Sequence, residues 1–469
     1  MSKGTSATVR PQDIVERTLE LSNADGCVVL AEETSEANLR FAGNTLTTNG
    51  VTRGRTLTVI ATIGGSEGTS AGVVSRSNVG LDELEALVRA AEDAARRGQS
   101  AEDAAPLIVG QGDDPHWSDE PGVTSIDVFS EAAPALGEAF RAARAEGRDL
   151  FGFAEQQLTT TYVGSSAGVR RCHVQPTGRI EMTGKRSDDW SRSSWVGAGT
   201  RDFSDVDIAA LDAELTRRLS WAQRRIDLSA GRYETLLSPS AVADLLIYQY
   251  WSSVARDAND GRSVFSRQGG GTRVGEDLTR VPVRMWSDPA AEGLECAPVV
   301  LAGASGASQS VFDNGLPIAP TDWIRDGELT ALIQTRHSAG LTGLPVTPGV
   351  DNLLFASPDA IRNLDEMVAA TARGLLLTCL WYIRVVDPQT LLLTGLTRDG
   401  VYLVEGGEVV AEVNNFRFNE SPVDLLARLS EVGHTERTLA REFGDYFTRT
   451  AVPAWRVGDF NMSSVSQAS

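Results

Sequence analysis

Few side chains in this sequence are spaced for catalysis. The four histidines, His116, His173, His337 and His434, lie too far apart to form a recognisable ligand pair. Cys172-His173 is the one His–Cys neighbour pair, and on a strand adjacent side chains face opposite sides, so the two would not chelate one ion. Cys27, Cys172, Cys296 and Cys379 are scattered without a CxxC, which points to small buried hydrophobes rather than a disulfide framework or a zinc knuckle. Carboxylates gather at Asp313, Asp322, Asp326 and Glu328. Paired acids could do acid–base work, yet Asp326 sits in an Asp-Gly turn and Asp322 beside a strand, and turn chemistry accounts for them more cheaply. Gly269 to Gly275 lacks the Lys-Ser/Thr ending of a phosphate-cradling loop. No G-x-S-x-G elbow is present, although a Ser/His/Asp triad is not ruled out by sequence. Arg336-His337-Ser338-Ala339-Gly340 follows a β unit and precedes the Gly343 and Gly349 loops, a place where a sheet edge could meet a peptide.

The best-marked element that could position such groups is the stretch from Ser238 to Ser266. Ser238 is a good N-cap and Pro239 suits the first helical position. Val242, Leu246, Tyr250 and Val254 recur every four residues, with Leu245, Ile247 and Trp251 beside them, so the helix is expected to be buried. Asn259, Asp260 and Gly261 are expected to stop it. Between Leu245 and Arg256 it carries no His, Cys, Asp or Glu.

The rest of the chain reads as α/β layers. At 469 residues it is long enough for two or three domains. Its 43 basic and 63 acidic residues leave a net charge of −20, which argues against direct, non-specific binding to nucleic acid or an anionic membrane. The polar N-terminus has no apolar run of a secretory signal, and no segment reaches the ~20 apolar residues of a membrane span, so a cytoplasmic protein is expected. Residues 1–12 and 463–469 are expected to be frayed. Short strands at Cys27–Leu30, Leu39–Ala42 and Thr56–Ala61 and a helix over Leu81–Arg97 make an N-terminal α/β domain, residues 1–105. A loop over Ala101–Thr124 leads to a middle α/β domain, 125–228, with helices from Asp127 and Ile208 around a hairpin turning at Gly164-Ser165-Ser166. A β-rich C-terminal domain with a few core helices, 229–469, begins with the strand Gly231–Leu237. Asn314-Gly315 and Asp326-Gly327 read as hairpin dipeptides. Helices are expected over Ala360–Gly374, capped by Gly374, and Pro422–Val432.

The second half resembles the TldD/PmbA family, also called the modulator-of-gyrase family. The resemblance is carried by blocks in order: SPSAVADLL (238–246), SVFS (263–266), SDPAAEG (287–293), FDNGLPIAPTDWIRDGELTALIQTRHSAGLTG (312–343), DNLLF (351–355), RGLLLTCLWY (373–382) and GVYLVEGGEVVAEVNNF (400–416). It implies a cytoplasmic protein linked to proteolysis, working in a two-subunit assembly. One subunit, TldD-like, is a zinc metallopeptidase with an HExxxH helix and a later cysteine ligand. The other, TldE/PmbA-like, has the same fold without the metal site.

Aligned after Leu245-Leu246, the HExxxH window falls on Ile247 to Ser252, IYQYWS, so Ile247, Tyr248 and Ser252 stand where histidine and glutamate would be. Catalytic zinc needs three protein ligands and a group that activates water. No cysteine follows Cys379, which itself lies earlier than the family's ligand position. The resemblance therefore implies a metal-free TldE/PmbA-like subunit: no cofactor, no catalytic residues, a zinc site lost, and a heterodimer with a TldD-like metallopeptidase acting on peptides and unfolded small proteins. Asp313, Asn314, Arg336 and His337 are the candidate substrate contacts. An independent hydrolase with a non-zinc site and a non-proteolytic adaptor are the alternatives.

Overall fold

The computed structural model describes residues 9–112 and 114–467. Six strands form an antiparallel sheet in the N-terminal half: β1 Gly26–Phe41, β2 Leu46–Gly65, β3 Gly68–Ser77, β4 Arg148–Ser165, β5 Arg170–Arg186 and β6 Asp189–Thr200, in the order β3-β2-β1-β4-β5-β6. The β1–β4 pairing, from Val28 opposite Ser165 to Phe41 opposite Gly152, joins the expected units 1–105 and 125–228 in one sheet. The segments expected at Cys27–Leu30 and Leu39–Ala42 belong to a single long strand, because Glu32, Glu33 and Thr34 between them continue the pairing.

Alternation along β1 separates two faces. Cys27, Val29 and Ala31 pack under the helices Pro11–Leu21 and Leu84–Arg97. Gly72 permits this approach, since a Cβ there would stand 2.1 Å from the Ala91 carbonyl oxygen. Farther along the same face, Ala132–Ala145 and Ile208–Trp221 cover Leu39, Ala154 and Met182. On the opposite face Val28, Leu30 and Val163 meet Val311 and Phe312 of the C-terminal half.

That half is a fourteen-stranded mixed sheet wrapped around the helix Pro239–Ser252. The chain is thus α/β with a β-rich C-terminal portion. Its most connected strand is Thr450–Val465, paired with Leu353–Ala356 in parallel and with Gly231–Leu237, Phe416–Glu420 and Leu429–Thr438 antiparallel. Residues 463–465, expected to fray, are part of it. Pro453 and Gly458 disguise this strand as a breaker-rich loop. Pro453 is tolerated next to a register shift in the ladder.

Three helix expectations change. The central helix ends at Ser252, and a separate turn of helix, Ala255–Asn259, follows. Ile333 divides them: its N–H donates to the Ser253 carbonyl at 2.7 Å and its carbonyl accepts from the Ala255 N–H at 3.0 Å. Ala360–Gly374 contains only the helix Leu364–Ala369, and Gly374 lies in the strand Arg373–Leu377, where a Cβ would stand 2.9 Å from the Glu234 carbonyl oxygen. Pro422–Ala427 is helical, but Leu429 onward is strand. Asp326-Gly327 does turn a hairpin, both residues at positive φ. Asn314-Gly315 instead forms a tight turn, closed by the Leu316 N–H donating to the Asp313 carbonyl at 2.9 Å, and joins no two sheet strands. No helix among the described residues is long and apolar enough to cross a membrane.

Candidate functional site

The central helix is apolar on nearly all sides, the mark of a helix enclosed by core. Ser238 caps it as its type predicts, accepting from the Ala241 N–H at 3.3 Å while donating to the Thr378 carbonyl at 2.8 Å. At its C-terminal end, residues 247–252 form an aromatic knot. Ile247 is fully buried. The Tyr248 ring lies 5.6 Å from Phe443, and Trp251 lies 5.1 Å from Phe443 and 6.2 Å from Phe447. The Tyr250 hydroxyl donates to the Val350 carbonyl at 2.8 Å and accepts from the Val350 N–H at 2.6 Å, and its ring packs on Trp323. Ser252 Oγ donates back to the Tyr248 carbonyl at 2.9 Å. The Gln249 amide is completely buried and makes no hydrogen bond among the described residues.

Asp244 fixes the partner side of this knot. Its buried carboxylate accepts from the N–H groups of Arg441, Glu442 and Phe443 at 3.1, 2.9 and 3.1 Å. Burial pushes this carboxyl well above the usual carboxylate range, against the lowering effect of the three donors. Through Asp244 the helix holds the segment that carries Phe443 and Phe447.

The window to which the resemblance assigns zinc ligands therefore presents hydrocarbon, two tyrosines, an indole, an amide and a hydroxyl that is already engaged. This donor set does not fit a zinc centre. Among the described residues no group of three His, Cys, Asp or Glu side chains is placed to hold a metal ion. Cys379 is fully buried, with Sγ 3.5 Å from the Arg398 carbonyl, and burial pushes its thiol up to about 12, far from a thiolate.

Beside the knot, a cleft of about 730 Å³ separates the N-terminal sheet from the C-terminal half. One wall is polar: Thr159 and Thr161 of β4 with His173 and Gln175 of β5. The other carries Trp251 and Tyr446. Tyr446 is 76% exposed and Trp251 39%, so both offer ring surface to an occupant. His173 Nε2 is 3.1 Å from Gln175 Oε1, and burial lowers its pKa, which keeps the imidazole neutral near pH 7. Cys172 and His173 face opposite sides, as strand geometry requires: Cys172 packs toward the core around Tyr162.

Of the four candidate contacts, Asp313 alone lines this cleft. It is 3% exposed and bound to Arg336, whose Nε donates to it at 2.6 Å and whose backbone N–H donates at 3.2 Å. Arg336 also donates to the carbonyls of Pro106 and Phe312. The Asn314 amide is spent inside its own loop, on Ala302 and the Val311 carbonyl. His337 accepts from Arg256 at 3.0 Å, away from the cleft lining. The structure brings Asp313 and Arg336 together as an ion pair within the C-terminal half, with Arg336 reaching across to the Pro106 carbonyl, and places Asn314 and His337 elsewhere. The polar wall was not singled out in the sequence. Its signal is Leu158-Thr-Thr-Thr-Tyr162, an alternation whose second face stays polar instead of apolar.

A family model, PmbA/TldA metallopeptidase C-terminal domain, matches residues 230–464. No curated protein matches the chain. Among solved structures, TldE from Thermococcus kodakarensis superposes with a TM-score of 0.77 at 14% identity, covering 96% of this chain and 99% of that one. A modulator of DNA gyrase from Thermotoga maritima gives 0.75 at 15% identity over 96% and 99%. Another from Bacteroides thetaiotaomicron gives 0.74 at 14% identity over 97% and 98%. At these identities the likeness is one of fold.

Proposed function

The chain belongs to the PmbA/TldD family, and from that premise we propose that it is a metal-free, non-catalytic subunit that pairs in the cytoplasm with a TldD-like metallopeptidase and lends its cleft to peptide binding. The observation that carries this reading is the aromatic knot at 247–252. Tyr248 and Trp251 are packed against Phe443 and Phe447, so the helix contributes shape and stability where a catalytic sibling would contribute ligands. The neighbouring cleft supports the peptide-binding half of the proposal. Threonine and glutamine side chains on one wall can hydrogen-bond an extended backbone, and exposed rings on the other can cover its side chains.

The test has two parts. Metal analysis of the purified chain is expected to find no stoichiometric zinc, and co-expression with a sibling that keeps HExxxH is expected to yield a stable complex with peptidase activity. A partner-free preparation that turns over peptides would overturn the proposal.

A further inference from the structure

The cleft beside the aromatic knot is poor in charge. Charged residues make up 23% of the chain, yet among the described residues the cleft lining holds only Asp313, Asp351 and Arg449. Each of these is already matched. Asp313 is bound by Arg336. Arg449 donates through Nε to the Asp351 carbonyl at 2.8 Å, through Nη1 to Thr177 Oγ1 at 2.9 Å and through Nη2 to the Asp351 carboxylate. All three of its nitrogens are thereby engaged. Arg201, a further cation near His173, is held by Glu295. His173 itself is neutral near pH 7. Glu32, Glu36 and Arg40 of β1 and Asp103, charges without an ion pair among the described residues, do not border the cleft. The lining is therefore electrically balanced within itself.

A second observation is independent of charge. The wall opposite the β4–β5 face leaves rings open to water: Tyr446 is 76% exposed and Trp251 39%. The lining adds Leu301 and Ile318, both only partly buried. Apolar surface gathered in a recess marks a place that something covers. A charged side chain entering here would leave its water and find no unpaired opposite to replace it. An apolar one would cover the rings. The backbone of the occupant can still be met. Thr159 Oγ1 accepts from the Gln157 amide at 3.1 Å, which leaves its own proton to donate to a peptide carbonyl.

We propose that the cleft selects extended peptide segments whose side chains are uncharged and apolar, with Tyr446 and Trp251 as the selecting rings and the Asp351–Arg449 pair closing the cleft to acidic and basic side chains alike. This inference rests on the peptide-binding reading of the cleft and adds the substrate class.

Fluorescence anisotropy with the full chain tests it. The probes are short peptides with a neutral dye and both ends blocked, identical except for one central residue: phenylalanine, glutamine, lysine or glutamate. At physiological salt the long-range pull of a chain of net charge −20 is largely screened. The phenylalanine peptide is then expected to bind about tenfold tighter than the lysine and glutamate peptides, with glutamine between. Asp351→Asn leaves the Arg449 guanidinium uncompensated, so the glutamate peptide is expected to gain about fivefold and the lysine peptide to lose. Tyr446→Ala, at a ring with little packing to lose, is expected to bring the phenylalanine peptide down toward the glutamine one. Ring faces also attract cations, so a lysine peptide that matched phenylalanine on the wild type would overturn the selection, as would a matching glutamate peptide. An unchanged order of lysine and glutamate in Asp351→Asn would overturn the role of the ion pair. A phenylalanine preference surviving in both Tyr446→Ala and Trp251→Ala would overturn the assignment of the rings. These three results leave peptide binding standing. Binding of no peptide at all would sink the cleft reading itself, and this inference with it.

Discussion

Asp244→Ala removes the anchor between the central helix and the segment behind it. Three backbone N–H groups, of Arg441, Glu442 and Phe443, would lose their acceptor. Each unpartnered buried donor costs about 1–3 kcal/mol. Removing the carboxylate also relieves its own desolvation, which offsets part of that sum. Breaking one side of a buried polar arrangement costs about 3–5 kcal/mol overall, and the lower end is expected here because the carboxylate is strongly desolvated. Global unfolding of so large a chain is not a two-state process, so the readout should be local. Hydrogen–deuterium exchange at residues 441–443 is expected to accelerate by about two orders of magnitude, the equivalent of about 3 kcal/mol. Amides in the β1–β4 ladder should be unchanged. Asp244→Asn keeps an oxygen for Glu442 and Phe443 but turns an N–H toward Arg441, so a loss of about 1–2 kcal/mol is expected. The pH dependence has a definite sign. Burial makes the folded chain hold this proton more tightly than the unfolded chain. Wild type therefore gains on Asp244→Asn as pH falls, fully below about 3.9, and loses that gain as pH rises through the folded value. Exchange at 441–443 within about threefold of wild type in Asp244→Ala would refute the reasoning.

Trp251→Ala and Tyr248→Ala are expected to loosen the contact with Phe443 and Phe447 by about 1–3 kcal/mol, less than a fully buried aromatic because both rings are partly exposed, read as faster hydrogen–deuterium exchange over residues 443–447. Arg336→Ala leaves Asp313 buried without its cation and should cost about 2–4 kcal/mol, read as early release of the 302–316 loop in limited proteolysis. Glu412 is pushed up to about 7 by burial, so its protonated form favours folding: that contribution is complete below about 4.3 and disappears as pH rises through about 7. Glu412→Gln should therefore flatten the fall in stability between about pH 5 and 8, leaving the variant about 1–2 kcal/mol ahead at the alkaline end.

Local signals carried the elements with clean endings. Ser238-Pro239 marked the start of the central helix, and Gly231–Leu237 was legible as a strand because its apolar end runs into that cap. Signals failed where tertiary contacts decide. Nothing near Ser253 announces a helix end, because Ile333, eighty residues on, takes the hydrogen bonds there. Gly374 looks like a helix cap in sequence, yet it is a glycine because the strand Gly231–Leu237 passes too close for a side chain. The absence of metal-ligating side chains from 247–252 was plain in the residue types. The cleft was not, since it arises from strands and a helix that meet only in the folded chain. Asp313 reached its edge through its ion pair with Arg336, while Thr161 and His173 sit on strands whose register no local pattern reveals.

The strand Thr450–Val465 sets a condition on how this protein can be made. Gly231–Leu237 cannot take its antiparallel neighbour until more than two hundred further residues have been synthesised, and Leu353–Ala356 waits nearly a hundred. During that interval the apolar central helix has no complete sheet to lie on. Pairings this remote are slow to form, and the exposed edges they leave invite aggregation. The N-terminal sheet closes once β6 is made and can stand by while the second half is still emerging from the ribosome. A premature stop anywhere before residue 450 would leave that half without its most connected strand, so such a product is a candidate for clearance rather than a partially working protein.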